Sequence, residues 1–89
     1  MITRMELKLR DTQQRTVLVQ VDHNPDMPTD YTAISYTVIG VGVNHVGRDM
    51  NEAAMAVQKV THYRIEPLRV AIASMVDALL DLSVNRVRV

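Results

Sequence analysis

The sequence contains no cysteine, phenylalanine or tryptophan among its 89 residues. Without cysteine the protein has no disulfide, no thiolate nucleophile and no cysteine-ligated zinc site. Small secreted domains commonly depend on disulfides, so this composition favours a reducing compartment, and we expect a cytoplasmic location. A domain of this size must then depend on an efficient core or on self-association for its stability.

An excess of charge of one sign is also missing, since ten basic and ten acidic side chains cancel. Proteins that bind nucleic acids generally carry a basic excess, because neutralised phosphates supply much of their affinity. The aromatic residues are three tyrosines, which offer few platforms on which the bases of a single strand could stack. We therefore do not expect a nucleic-acid partner.

Long hydrophobic runs are absent as well. The mostly apolar stretches are interrupted by Asn44, His45 or Asp77 and fall short of the roughly 20 residues that a membrane-spanning helix needs. The first ten residues mix charged and apolar side chains and lack the continuous apolar region of a signal peptide. The sequence thus predicts no association with a membrane.

Apolar residues alternate with polar ones near the amino terminus, which is typical of half-buried strands. Met5–Arg10 alternates strictly, and Thr16–Val21 places three valines on one side. The intervening polar segment Asp11–Gln14 predicts a turn, so the two strands should form a β-hairpin.

The middle of the chain is rich in turn-forming residues. Asp22–Asp30 contains two prolines and three aspartates and is predicted to be a loop. Tyr31–Val43 is rich in β-branched residues and is predicted to be a third strand, although a helix opened by Thr29 also fits the apolar spacing. All three glycines lie in Gly40–Arg48, which is predicted to be a glycine-rich loop.

Two helices are predicted in the carboxyl-terminal half. Asp49 and Glu52 have the spacing of a capping box, and the helix that they open should end near Tyr63. Pro67 suits the first turn of a second helix, while the alternating tail Asn85–Val89 is compatible with a short closing strand. The second helix carries an apolar stripe at helical spacing that comprises Leu68, Ile72, Met75, Val76, Leu79 and Leu80.

This order of elements predicts the fold class. Strands come first and helices last, which indicates an α+β fold and not alternating β-α-β units. We expect a single domain over residues 1–89, with an antiparallel sheet of three or four strands packed by two carboxyl-terminal helices. The amino-terminal hairpin and the third strand form the body of this sheet.

The sequence contains no recognisable catalytic motif and no typical metal-binding motif. None of the three serines lies in a G-x-S-x-G turn, and the three histidines have no spacing typical of zinc ligands. A weak surface site made by His23 with Asp22 or Asp26 is the one metal site that the pattern allows. We expect no catalytic residues, no bound metal and no cofactor.

The glycine-rich segment is the candidate ligand site, because it joins a predicted strand to the start of a predicted helix. Its spacing is GxGxxxxG, so it matches neither the dinucleotide nor the P-loop fingerprint. The alternative is that the glycines have a purely structural role and bind no ligand. In that case Gly40 lies at a tightly packed strand end, and Gly47 adopts a turn with positive φ. The candidate ligand-binding residues are Gly42, Asn44, His45, Gly47 and Arg48.

Two surfaces are candidates for contacts with partners. The helices carry more apolar residues than a small sheet can cover, and the predicted homo-oligomer interface comprises Met55, Val57, Tyr63 and Met75. A basic stripe would form if the tail pairs beside the hairpin, and it would comprise Arg4, Lys8, Arg10, Arg15, Arg86 and Arg88.

These features favour a non-enzymatic, homo-oligomeric accessory protein that acts by binding. One alternative is a binding or sequestering protein that holds a nucleotide or another small anion at Gly40–Arg48. Another alternative is a protein inhibitor that docks on a single enzyme. Compact, cysteine-free, charge-balanced chains of this size are typical of bacteriophage accessory proteins.

Overall fold

The computed structural model of the protein describes residues 3–24, 26 and 31–88, with the side chains of residues 31 and 83–88 left out. A short 3-10 turn at Tyr31–Ala33 precedes the third strand. The strands and helices are β1 (Arg4–Arg10), β2 (Thr16–His23), β3 (Ile34–Gly40), β4 (Val43–Gly47), α1 (Met50–Thr61) and α2 (Ile65–Arg88).

The four strands form one sheet in the order β1-β2-β3-β4, and each neighbouring pair is antiparallel. Every strand therefore pairs with the next one along the chain. The predicted α+β fold, an antiparallel sheet packed by two carboxyl-terminal helices, is confirmed. Residues 31–43 prove to be mainly strand, and the alternative helix is wrong. Asp22 and His23 also belong to β2, so the predicted loop starts later, and most of it lies outside the described residues.

The glycine-rich segment is not the predicted loop, because most of it is strand β4. A two-residue turn, Val41–Gly42, joins β3 to β4, and both turn residues have positive φ, 53° and 81°. Two consecutive positive φ values match the twist of a β-hairpin. This hairpin was not predicted from the sequence because Val41 is β-branched, and a β-branched residue rarely occupies a conformation with positive φ.

The carboxyl-terminal tail is helical, and the predicted closing strand is wrong. Helix α2 runs without a break from Ile65 to Arg88, which includes most of this tail. Pro67 lies in its first turn, as predicted, where a missing backbone N–H costs no helical hydrogen bond. Backbone hydrogen bonding of a helix that is already formed continues into the alternating tail more readily than a new strand begins.

Helix α1 has the predicted amino-terminal cap. The Asp49 carboxylate accepts hydrogen bonds from the backbone N–H groups of Asn51 and Glu52, at 2.8 and 3.3 Å. At the other end His62 adopts the left-handed conformation with φ of 62°, and its N–H bonds to the Gln58 carbonyl. The helix therefore ends at Thr61, slightly before the predicted end near Tyr63.

One face of the sheet and both helices enclose a single core. The valines of β2 alternate inward, as the period of two predicted, and the inward side chains of β3 lie beside them. The fully or nearly fully buried members of this core are Val17, Val19, Val21, Ile34, Tyr36, Val38, Ala53, Ala54, Val57, Leu68, Ile72, Met75, Val76 and Leu79.

Gly40 ends β3 at a point where no side chain fits. A Cβ atom on Gly40 would lie 2.5 Å from the Thr16 carbonyl oxygen, and its φ is 132°. The alternative of a tightly packed strand end is confirmed at this position. Gly47, in contrast, lies inside β4 without a positive φ, so the predicted turn there is wrong.

Removal of buried side-chain volume from α2 should be costly. Leu79 is fully buried, and we expect Leu79→Ala to lower the free energy of unfolding by about 2–5 kcal/mol. Val70 lies on the same helix with 64% of its surface exposed, so Val70→Ala should change that free energy by less than about 0.5 kcal/mol. Urea denaturation of both variants measures the difference, and equal losses would contradict the assignment of the buried face.

Alanine substitutions at two glycines separate backbone strain from steric overlap. Gly42 faces open space, so Gly42→Ala should cost about 1–2 kcal/mol, because only the positive φ opposes it. Gly40→Ala should cost more, since it adds an overlap with the Thr16 backbone. Thermal denaturation ranks the two variants, and a Gly42 variant at least as damaged as the Gly40 variant would refute this account.

Candidate functional site

The outer face of the sheet, turned away from the helices, carries an apolar patch. The register places Leu18 opposite Ile39, and Thr37 opposite Val46. Ile39 is 44% exposed and Val46 is 70% exposed. No helix or strand of the described residues covers this face. We call Leu18, Thr37, Ile39 and Val46 the outer-face patch.

Charged side chains of opposite sign border the outer-face patch on the β1 side. Lys8 pairs across the strands with Leu18, and Glu6 pairs with Gln20. The Gln20 amide donates a hydrogen bond of 2.9 Å to the Glu6 carboxylate, which keeps that charge beside the patch. The border therefore offers one cation and one anion, separated by two positions on the same strand.

The helices expose less contiguous apolar surface than the sequence suggested. Val57 and Met75, two residues of the predicted interface, are buried in the core, so neither belongs to the exposed surface. Met55 is 61% exposed, but its neighbours one turn away include the charged and exposed Glu52 and Lys59. A single exposed apolar side chain among polar ones is ordinary for a protein surface.

Tyr63, the fourth residue of the predicted interface, links the helices to the sheet. Its ring is partly exposed, and its hydroxyl donates a hydrogen bond of 2.8 Å to the Arg10 carbonyl. The ring also borders an open apolar groove of about 400 Å³ between β1 and the start of α2. This groove is lined by Leu7, Leu9, Tyr63, Arg64, Pro67, Leu68 and Ala71.

The candidate ligand-binding residues are not gathered at one place. Gly42 and Arg48 lie beyond opposite ends of β4, roughly 20 Å apart by the rise of a strand. Asn44 faces outward, whereas His45 faces the helices, because side chains alternate along β4. The buried Nε2 atom of His45 has no hydrogen-bond partner in the described structure.

Arg48, one of the candidate ligand residues, lines two clefts. The larger cleft, of about 460 Å³, lies between the start of α1 and the middle of α2. The smaller cleft, of about 160 Å³, lies where β2 ends and β3 begins. The larger is lined by Tyr36, Arg48, Asp49, Met50, Asn51, Ala73, Val76 and Asp77, and the smaller by Asn24, Thr32, Ala33, Ile34, Ser35 and Arg48.

The histidine in the proposed weak metal site is buried. His23 is only 5% exposed and faces the core, while the carboxylate of Asp22 faces outward and pairs with Arg4 at 2.6 Å. Consecutive strand residues point to opposite faces, so His23 and Asp22 cannot share a metal ion. Among the described residues no group of three or more histidine or carboxylate side chains is placed to hold one.

The basic stripe predicted on the hairpin is partly neutralised, since two of its four hairpin cations pair with carboxylates. Arg4 pairs with Asp22, Arg15 pairs with Asp11 at 2.7 Å, and Arg10 donates a hydrogen bond to the Gln14 carbonyl. The carboxyl-terminal arginines belong to α2 and not to a strand beside the hairpin, and their side chains lie outside the described set.

Comparisons with protein-family models, curated proteins and solved structures give no match to this chain. Over the described part of the chain, neither helix has both the length and the apolar character required to cross a membrane.

A buried carboxylate holds the first hairpin loop. One Asp11 oxygen accepts hydrogen bonds from the N–H groups of Gln13 and Arg15, at 2.9 and 2.8 Å, and the other accepts from the Arg15 guanidinium. Burial raises the pKa of Asp11, but these hydrogen bonds together outweigh burial, and the pKa lies below its usual range.

Because the pKa of Asp11 is lower in the folded than in the unfolded protein, its ionised form stabilises the fold above the unfolded pKa. That stabilisation is lost as the pH falls through the folded pKa. We therefore expect Asp11→Asn to lower the melting temperature at neutral pH and to have little effect once the carboxyl group is protonated. Melting curves of both proteins from neutral to strongly acidic pH test this, and a pH-independent difference would exclude it.

Proposed function

We propose that the protein is a non-enzymatic binding module whose copies associate through the outer face of the sheet. The outer-face patch carries this proposal, because it joins apolar side chains from three neighbouring strands on a face that no described helix covers. Exposed apolar side chains grouped on an uncovered sheet face support a contact with another protein.

A second copy of the same chain suits the patch because of its charged border. In a two-fold symmetric interface both copies use the same surface: when one residue contacts a second residue of the other copy, the reverse contact also forms. The surface must therefore complement itself. Lys8 and Glu6 lie on one strand beside the patch, and a two-fold axis can bring each toward the other on the opposite copy. Two sheets packed face to face, about 10 Å apart, accommodate such an arrangement.

Association would also increase the stability of so small a domain. A chain of 89 residues buries a smaller fraction of its surface than a larger domain does, and here both helices lie on one side of the sheet. Covering the second face with another copy adds apolar burial that the single chain lacks. This argument favours the sheet over the helices as the interface, in contrast to the prediction made from sequence.

Sedimentation equilibrium at micromolar concentration provides the test. We expect the unaltered protein to be an oligomer and Ile39→Glu to be a monomer, because the substitution places a charge in the centre of the patch. Val70→Glu is the control, since Val70 is even more exposed than Ile39 but lies on α2, and this variant should remain an oligomer. A monomeric unaltered protein would refute the proposal.

Charge reversal at the border tests the symmetry independently. Lys8→Glu alone and Glu6→Lys alone should each weaken the association, because each places like charges together across the two-fold axis. The double variant should restore it. An unaltered chain that stays monomeric and yet binds one enzyme through the outer-face patch would instead favour the inhibitor alternative.

A further inference from the structure

The free edge of the sheet at β1 indicates a second binding surface, separate from the outer-face patch. The strand order makes β1 and β4 the two edges of the sheet. β1 pairs with β2 on one side, and no other strand of the described residues pairs with it. Its second side is therefore open to a further strand, which an edge strand can accept through its backbone N–H and C=O groups.

Hydrogen bonds at both ends of β1 show which of its residues point their backbone groups outward. The Thr3 carbonyl accepts a hydrogen bond of 2.7 Å from the His23 N–H. At the other end, the Asp11 N–H donates one of 3.0 Å to the Arg15 carbonyl. Backbone groups alternate in direction along an antiparallel strand, so the odd-numbered residues of β1 bond to β2. The residues that point their N–H and C=O groups away from β2 are Arg4, Glu6, Lys8 and Arg10.

Tyr63 closes one end of this edge. Its hydroxyl donates a hydrogen bond of 2.8 Å to the Arg10 carbonyl. This bond agrees with the outward direction of that carbonyl, because Tyr63 lies between α1 and α2 and not in the sheet. Among the described residues, no backbone group bonds to the outward N–H and C=O groups of Glu6 and Lys8. The open part of the edge is thus centred on Glu6 and Lys8.

An apolar groove lies beside the open edge and fits the side chains of an added strand. It has a volume of about 400 Å³ and lies between β1 and the start of α2. Leu7 and Leu9 line it from β1 and are only half-buried, and Pro67 and Ala71 line it from α2. A strand beside β1, about 4.8 Å away, would point every second side chain to the helical side of the sheet. The edge and the groove therefore suit the same ligand, an extended segment with an apolar residue at every second position.

The charges beside the open edge favour acidic residues at the remaining positions of this segment. Lys8 and Arg10 are exposed on the outer face, where the alternate side chains of an added strand would also lie. Neither cation forms an ion pair with a described residue. The carboxylate of Glu6, in contrast, already accepts a hydrogen bond from Gln20. Carboxylates on the segment would complement the two cations.

A second copy of β1 does not suit this edge, because its charges repel. When two antiparallel β1 strands overlap completely, Arg4 lies opposite Arg10 of the other copy. A shift by two residues in one direction places Glu6 opposite Glu6, and a shift in the other direction places Lys8 opposite Lys8. Like charges directly opposite one another destabilise a strand pair. The edge is thus protected against self-pairing and open to a strand of different charge.

We propose that β1 binds an extended segment of another protein as a fifth strand of the sheet. The apolar side chains of the segment occupy the groove, and its acidic side chains lie on the outer face beside Lys8 and Arg10. This contact goes beyond the self-association proposed above, because it uses the backbone of β1 and the helical side of the sheet.

Isothermal titration calorimetry with synthetic peptides of about eight residues, an ordinary strand length, tests the proposal. One peptide alternates valine with glutamate, a second alternates valine with lysine, and a third has the composition of the first without alternation. We expect the valine–glutamate peptide to bind and the other two to bind about tenfold or more weakly. Absence of binding by the valine–glutamate peptide up to millimolar concentration would overturn the proposal. Equal binding of the third peptide would overturn the strand pairing, and equal binding of the second would overturn the acidic character.

Lys8→Pro tests the backbone contact. The Lys8 N–H points away from β2, so its loss breaks no bond between β1 and β2, and proline is tolerated at such edge positions. Lys8→Pro should bind the valine–glutamate peptide about tenfold or more weakly than Lys8→Ala, which loses the same charge and keeps the N–H. Equal binding by the two variants would refute the added strand.

Amide hydrogen exchange of the unaltered protein gives the same information without a substitution. The peptide should slow exchange at the outward N–H groups of Glu6 and Lys8 and have less effect at Leu7, which already bonds to β2. Unchanged exchange at Glu6 and Lys8 in the presence of bound peptide would place the peptide elsewhere and contradict the proposal.

Charge reversal tests the outer side of the edge. Arg10→Glu should weaken binding of the valine–glutamate peptide, because it replaces attraction by repulsion. Arg48→Glu is the matched control, since Arg48 is also exposed but lies beyond β4, at the opposite edge of the sheet, and should bind the peptide as the unaltered protein does. Equal losses in the two variants would contradict a site at β1.

The edge can be tested apart from the outer-face patch. Ile39→Glu leaves β1 and every residue of the groove in place, so this variant should bind the peptide as the unaltered protein does. If Ile39→Glu remains a dimer and the further change Lys8→Pro dissociates it, a second copy occupies the edge and the proposal of another protein is wrong. Failure of the edge can therefore be distinguished from failure of the outer-face association.

Discussion

One-sided coverage of the sheet is the constraint on which the rest of the structure depends. Side chains alternate between the two faces of every strand, so a sheet has two surfaces to satisfy. Both helices pack on the surface formed by the valines of β2 and the even-numbered residues of β3. This arrangement buries the apolar stripe of α2, with Leu80 only partly buried, and leaves the opposite surface uncovered by any described helix or strand. The position of the outer-face patch is thus a consequence of where the core formed.

Local features of this fold could be predicted from the sequence, because they depend on neighbouring residues. The alternation of Met5–Arg10, the cap at Asp49 and the helical stripe that includes Leu79 each express a single period or a single hydrogen-bonding pattern. The strand β4 was missed because its turn contains Val41, a residue with no turn preference, in a left-handed conformation. The prediction of a closing strand in the tail was wrong because the alternation in Asn85–Val89 is a weaker determinant than the helix that precedes it.

The candidate sites were harder to predict, since they depend on distances between parts of the chain that are far apart in sequence. Val57 and Met75 have the composition of an interface, yet both are buried where α1 and α2 meet the sheet. The outer-face patch joins Leu18 to Ile39 through a register that no single segment determines. The sequence makes Arg48 a candidate because it ends the glycine-rich segment, whereas only the structure shows that Arg48 lines two clefts.

The outer-face patch and the larger cleft beside Arg48 lie in different layers of the fold. The outer-face patch lies on one side of the sheet, whereas the larger cleft beside Arg48 includes Ala73 and Val76 of α2, on the helical side. Copies that pack sheet against sheet would turn their helices, and these clefts, toward solvent. The smaller cleft includes Ser35, an outward-facing residue of β3 at the end of the sheet away from Ile39. A partner centred on Ile39 would therefore lie on the opposite side of the sheet from the larger cleft beside Arg48.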